Sequence, residues 1–245
     1  SMILAGILLK VGGFAFIRIS IPILPEASTY FSSFIIILSA IAIVYTSLVA
    51  FAQTDIKKLI AYSSVAHMGY VTAGIFSMTE IGMQGAIFQM ISHGIVSAGL
   101  FLSIGMLYER TGSRDLKDYN LLIRCMPIFS VLFIILVLSS VGLPGTSGFI
   151  GELLVVLGVF KNFLIMGLFI SSGIILGAIY MMSLVRKIIF TTDKDLIKLE
   201  LSDLEGLEIY IMFFLVFFTL LLGLYPNIIL KFTETSTINL LMNFK

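Results

Sequence analysis

The 245 residues contain no tryptophan, one cysteine and two histidines, and charged side chains make up only 12% of the chain. The shortage of charge excludes the most. Soluble globular domains carry roughly 25% charged residues, so a chain with 59% hydrophobic residues and a mean hydropathy of +1.11 is an integral membrane protein. The single Cys125 excludes an internal disulfide, no Cys/His cluster has metal-ligand spacing, and Cys125 reads as inert. A net charge of +1 gives no reason to invoke a nucleic-acid partner or recruitment by acidic lipids. The two-residue alternation of a barrel strand is missing. No haem, flavin or iron–sulfur ligand set is visible, so no cofactor is expected on this chain. The glycines around Pro144 lack the Lys-Ser/Thr ending of a phosphate loop.

What is present is a series of apolar runs near 20 residues each, the length a helix needs to cross about 30 Å of hydrocarbon. They lie near 2–21, 31–52, 58–77, 82–108, 127–160, 162–185 and 208–230. The pattern predicts an all-α, polytopic transmembrane helix bundle of about seven spans in the lipid bilayer, forming one transmembrane domain over residues 1–245. The fifth run is too long for one plain crossing and is interrupted by Gly142-Leu143-Pro144-Gly145-Thr146-Ser147-Gly148. Proline removes a backbone donor and clashes with the preceding turn, so a broken helix with unpaired carbonyls and amides at its break is expected.

Alternating loops place Lys57, Lys58, Arg110, Arg114, Lys117, Arg124, Arg186, Lys187, Lys194 and Lys198 on one side, and only Lys161, Lys231 and Lys245 on the other. Such a bias marks the basic side as cytoplasm or, in an organelle, matrix, with the N-terminus inside and the C-terminus outside. The connection from Lys187 to about Gly206, with Asp193, Asp195, Glu200, Asp203 and Glu205, reads as solvated with some helical character. Ser1 opens directly into Met2-Ile3-Leu4-Ala5, without a loop, a signal-peptide pattern or an initiator Met, and reads as a cut end.

Four ionisable side chains interrupt these apolar runs: Lys10, His67, His93 and Glu152, each on a different span. Counting from the nearest span end at about 1.5 Å per residue puts each roughly 14–16 Å from a membrane face. Titratable groups at the bilayer centre are costly and mark ion pathways or proton relays. Each also has a plainer reading. Lys10 could form a structural ion pair, although its head cannot easily snorkel from that depth. His67 follows Ser63 and Ser64 by one turn and could be a neutral imidazole satisfied by a hydroxyl. His93, after Gln89 and Ser92, makes a second mid-depth polar patch, and two imidazoles that both accept and donate suit proton hopping. Glu152 lies one turn beyond the break, where irregular backbone is tolerated only against protein or water, so it is expected to border a hydrated cavity or to serve as a counter-ion. Arg18, near a span end beside Pro22, reads as snorkelling.

These residues carry a family resemblance. Leu4-Ala5-Gly6-Ile7-Leu8-Leu9-Lys10, the run Ala50–Gly69, Gln84-Gly85-Ala86, Ser92-His93-Gly94, Leu107-Tyr108-Glu109-Arg110, Gly142-Leu143-Pro144-Gly145 and Gly148-Phe149-Ile150-Gly151-Glu152 resemble the antiporter-like, proton-translocating subunits of respiratory complex I, with the subunit 4 branch the nearest. The resemblance implies a proton-pumping module without its own redox centre, driven from elsewhere in an NADH:ubiquinone oxidoreductase. It makes Lys10 the central relay lysine, lets His67 and His93 extend the hydrophilic axis, and puts Glu152 on the broken helix toward the exit side. Tyr62 and the Ser63 and Ser64 hydroxyls are weaker candidates for holding waters. It implies other complex I membrane-arm subunits as partners. Family members have about fourteen helices and the match is to their C-terminal half, so a separate polypeptide or a missing segment is expected to supply the N-terminal half. Abundant Ile and Phe and the lack of Trp fit an AT-rich genome, which favours the mitochondrial inner membrane over a bacterial plasma membrane. Competing readings are a subunit of a related multisubunit cation/proton antiporter or membrane hydrogenase, and a non-pumping structural subunit.

Overall fold

A computed structural model describes residues 2–119, 121–191 and 201–242. Backbone polar groups in hydrocarbon must be paired within their own segment, and the apolar runs accordingly form helices. Among the described residues there is no strand, only an isolated bridge between Asp55 and Asp115.

In chain order the longer helices among the described residues are α1 (Leu4–Ile23), α2 (Pro25–Tyr30), α3 (Ser32–Phe51), α4 (Ile56–Phe76), α5 (Glu80–Thr111), α6 (Pro127–Val141), α7 (Ser147–Asn162), α8 (Leu164–Phe190), α9 (Leu207–Leu224) and α10 (Asn227–Met242). Six of these are long and apolar enough to cross a membrane alone. The 15 residues of α6 and the 16 of α7 share a seventh crossing, the expected discontinuous helix. Local chemistry sets the boundaries. Asp55 starts α4 by accepting from the amides of Lys57 (2.7 Å) and Lys58 (3.0 Å). Gly112 and Gly142 close α5 and α6 at φ +70° and +81°, a left-handed conformation that favours glycine.

Two expectations fail at the C-terminal side. The last span does not run to residue 230: α9 stops at Leu224, and Tyr225 leaves helical geometry because the ring of Pro226 disfavours it there. The chain restarts as α10, which packs against α5 and sets Leu240 and Leu241 on the core. The connection after α8 also begins later than expected. A π-helical turn, Arg186–Phe190, prolongs α8 with Ile188 and Ile189 fully buried. Asp193, Lys194, Asp195, Lys198 and Glu200 lie outside the described residues, as do Ser1 and Lys245.

The segments carrying Lys57, Lys58, Arg114, Lys117 and Arg124 meet at one end of the bundle. There Ile56 N donates to Arg114 O (3.0 Å), Leu116 N to Thr54 O (2.9 Å) and Leu121 N to Thr191 O (3.1 Å). Arg110 grips Glu208 through two bonds, 3.0 and 2.5 Å, and Asp203 caps α6 by accepting from Ile128 N (2.8 Å) and Phe129 N (3.1 Å). At the opposite end Asn162 donates to Ser77 O (2.9 Å) and Thr79 to Gly158 O (3.1 Å). The up-and-down alternation behind the charge count is therefore present.

Two apolar clusters fill the bundle. One, toward the basic end, contains Ile56, Leu107, Leu122, Phe129 and Val185. The other, toward the opposite end, contains Ile36, Phe76, Met83 and Val159. Between them lies a buried polar layer that includes His67, Gln89, Ser92, His93, Ser139, Ser140, Ser147 and Glu152. The helix at its centre is α5, which packs against α1, α4, α6, α7, α9 and α10.

Candidate functional site

Lys10 enters the layer from α1, a helix interrupted by π-helical turns at Leu4–Leu8 and Phe16–Ser20. Such turns loosen the carbonyl ladder and recur at functional sites. Here the Ala5 carbonyl accepts from Lys10 Nζ at 2.5 Å, holding the ammonium beside α5. The same Nζ lies 2.6 Å from His93 Nδ1. Because an ammonium can only donate, the close approach pairs it with an imidazole nitrogen that accepts. Lys10 is half-buried, and its outer side faces an open apolar groove of about 530 Å³ lined by Met2, Gly6, Phe14, Met90, Gly94 and Leu215 among others.

From His93 the line continues inward. The rings of His93 and His67 are 5.1 Å apart between centroids and tilted by 47°. His67 Nδ1 is 2.9 Å from Glu152 Oε1, and the two side chains are only 7% and 4% exposed. The approach is off the hydrogen-bonding direction, which leaves Nδ1 without a hydrogen-bond partner among the described residues, so the contact is an electrostatic one. On its other nitrogen His67 meets the Ser140 hydroxyl at 3.2 Å. The four ionisable side chains thus form one line from the groove on α1 to the broken helix, running across the bundle at a single depth.

The break positions the far end of this line. Several backbone groups expected to be loose there are paired: Gly142 N donates to Ser139 O (3.1 Å), Leu143 N to Leu138 O (3.0 Å) and Thr146 N to Leu143 O (3.1 Å). Without a Cβ at Gly142 the chain passes close to Glu152, since a methyl there would lie 3.0 Å from Oε2. Ser147, at the start of α7, accepts from Ser92 of α5 at 2.7 Å, locking the second half-helix to the His93 turn.

Some local readings give way. Ser63 and Ser64 do not hold His67. Both donate back to Ile60 O, at 2.8 and 3.0 Å, as hydroxyls in a helix commonly do. Tyr62 points outward, 38% exposed. The hydroxyl beside His67 comes instead from Ser140, 73 positions away. Gln89 is a further member of the site. Its amide Nε2 donates to Glu152 Oε1 at 3.4 Å, and its Oε1, packed against Gly151, has no partner among the described residues. The sequence signal for it was only its place one turn before His93.

The model of a transmembrane family described as NADH:quinone oxidoreductase/Mrp antiporter matches residues 1–177. NADH-quinone oxidoreductase subunit M of Rickettsia prowazekii (strain Madrid E) is 50% identical over 252 residues, covering 100% of this chain and 50% of the relative. NADH-ubiquinone oxidoreductase chain 4 of Marchantia polymorpha is 46% identical, with the same coverage. A chain in the structure of respiratory complex I from Thermus thermophilus with bound NADH superposes with a TM-score of 0.88 at 34% identity, over 95% of this chain and 50% of that one. The chain spans about half the length of these relatives.

Proposed function

The chain belongs to the NADH:quinone oxidoreductase/Mrp antiporter transmembrane family, and from that premise we propose that it is a proton-translocating membrane-arm subunit of respiratory complex I. In this reading the chain does no redox chemistry itself. Its multi-pass bundle sits in the mitochondrial inner membrane, or in the plasma membrane of a bacterium, beside other membrane-arm subunits. A further segment or polypeptide, matching the other half of the relatives, covers the apolar groove outside Lys10.

The observation that carries the proposal is the line of contacts Lys10–His93–His67–Glu152, with steps of 2.6 Å, a 5.1 Å ring separation and 2.9 Å. A proton arriving on Lys10 is handed from Nζ to His93 Nδ1, passes to the His67 ring and reaches the Glu152 carboxylate. Opposite charges nearby favour one another's charged forms, so a charge change at one member alters the proton affinity of the next. That is how conformational or electrostatic work done elsewhere in the complex would load and empty the line. Gln89 and Ser140 hold Glu152 and His67 in register.

The test has two parts. Native mass spectrometry of the gently solubilised complex identifies the companions: redox subunits support complex I, whereas a purely antiporter assembly with sodium dependence favours the Mrp-like alternative named in the family description. In the reconstituted complex, Lys10→Ala is expected to lower proton translocation and coupled turnover while assembly persists. Wild-type stoichiometry in that variant would reduce the chain to a structural subunit.

A further inference from the structure

At the basic end of the bundle, between the residues leading into α1, the start of α4 and the last turns of α5, lies a pocket of about 200 Å³. No member of the relay lines it. Its charged lining is Lys57 and Arg114, with no carboxylate. Among the described residues neither cation is in an ion pair, the two pairs there being His67–Glu152 and Arg110–Glu208. The neighbouring acids are turned to backbone: Asp55 accepts from the amides of Lys57 and Lys58, and Asp115 from that of Lys117. Arg114 is stacked on Tyr108, its Cζ 4.5 Å from the ring centroid. A guanidinium held this way keeps its N–H edges available for an anion. The chain's net charge is only +1, so the attraction is local to these two side chains.

The rest of the lining is apolar: Met2, Phe101, Ile104 and the bare backbone of Gly105. Depth separates the two parts. Counted from His93 at mid-depth, at 1.5 Å per residue, Phe101 lies about 12 Å toward the basic side, Ile104 about 16 Å and Tyr108 about 22 Å. Hydrocarbon extends roughly 15 Å from the midplane and head groups to roughly 20–22 Å. The buried Phe101 and Ile104 are therefore a floor at the edge of the hydrocarbon, and the exposed Tyr108 and Arg114 a rim at head-group level. Lys57 starts ten residues from His67, about 15 Å of rise, and its stem can carry the ammonium outward to that rim. Gly105 keeps the floor open. It sits in the interior of α5 without a positive φ, and a methyl there would meet nothing within 4 Å, so neither conformation nor packing calls for glycine where alanine is the better helix former.

We propose that this pocket binds the head group of an anionic phospholipid, its phosphate held between Lys57 and Arg114 and the first carbons of its chains laid over Phe101 and Ile104. Ammonium and guanidinium donate to phosphate oxygens in charge-assisted hydrogen bonds. A free phosphate would match the cations but leave the apolar floor unused, and an uncharged amphiphile would match the floor but leave two unpaired cations. A phospholipid of net negative charge meets both parts at the depth where each lies. Basic pockets between membrane helices on the cytoplasmic or matrix side suit such head groups. The site contains no relay residue, so loss of the lipid and loss of proton translocation are separate outcomes.

The assembled complex in nanodiscs, with phosphatidylglycerol raised stepwise in phosphatidylcholine, supplies the test, read by density maps and by native mass spectrometry of the retained lipids. In the parent, head-group density between Lys57 and Arg114 is expected to continue as chain density over Phe101 and to strengthen with phosphatidylglycerol. Lys57→Gln and Arg114→Gln should each raise the phosphatidylglycerol fraction that half-fills the site about fivefold. Lys117→Gln, which removes an exposed cation outside the pocket, should leave it unchanged. Gly105→Leu fills the floor without altering either charge and should expel the chains. Should a charge variant fail to assemble, Gly105→Leu and the parent map still decide. Density equally strong in phosphatidylcholine alone and unaltered in both charge variants would overturn the proposal, because chains alone would then hold the lipid. So would a compact density without chains that disappears when inorganic phosphate is withdrawn from the buffer, and so would a polypeptide segment seated in the pocket.

Discussion

Replacing Glu152 by glutamine keeps the side chain's shape and removes its charge. The carboxylate oxygen lies 2.9 Å from His67 Nδ1, with both groups almost wholly buried. Unit charges at that distance attract by about 6 kcal/mol at an effective dielectric constant near 20. At 1.36 kcal/mol per decade this corresponds to about four orders of magnitude in a rate that depends on the pair. A positioned acid or base contributes about 10²- to 10⁴-fold to proton transfer, and the lower part of that range applies because an amide and a nearby water can partly substitute. A hundredfold slower step would limit a turnover of typically 1–10³ per second. Folding should be spared: glutamine keeps an oxygen that can accept from Gln89 Nε2, so that buried donor is not left without a partner. The assay is NADH-driven quinone reduction in proteoliposomes with a pH-sensitive dye, alongside assembly on native gels. Glu152→Asp, which keeps the charge but withdraws it by about 1.5 Å, one carbon–carbon bond, should retain part of the activity. Normal turnover and proton stoichiometry in the glutamine variant, with assembly intact, would refute the reasoning.

Two further predictions concern how the site is held. Asp203→Ala removes the cap from the first amides of α6 and should cost about 0.5–2 kcal/mol; hydrogen exchange at Ile128 and Phe129 should accelerate, and unchanged protection would mean that water caps the half-helix equally well. Gly158→Ala would drive a methyl into the backbone of Gly82, where α7 meets the start of α5. Backbone cannot swing aside as a side chain can, so at least the usual 1–3 kcal/mol of overpacking is expected, read as a lower unfolding temperature in detergent.

The helices and the four ionisable residues were legible because the bilayer imposes a simple condition on each: an apolar run must pair its own backbone, and a titratable group at mid-depth must face protein or water. Pro226 was legible too, but the apolar run reads across it, since hydropathy averaged over the run masks one imino acid and the Asn227 beside it between Leu224 and Ile228. The partners within the site were not legible, because periodicity speaks only of neighbours along one helix. It offered His67 the serines one turn away, whose hydroxyls are already bound to Ile60 O, whereas the neighbour in space is Ser140. The break explains why such a distant residue is available. A continuous helix through residues 127–162 would separate Ser140 from Glu152 by twelve residues, about 18 Å of rise at 1.5 Å per residue. Ending α6 at Gly142 and restarting at Ser147 brings both to the same imidazole, Ser140 against one nitrogen and Glu152 against the other. The discontinuity therefore does more than admit polar groups into the membrane: it folds two levels of one helix into a single layer, where a lysine and a histidine from two other helices complete the line.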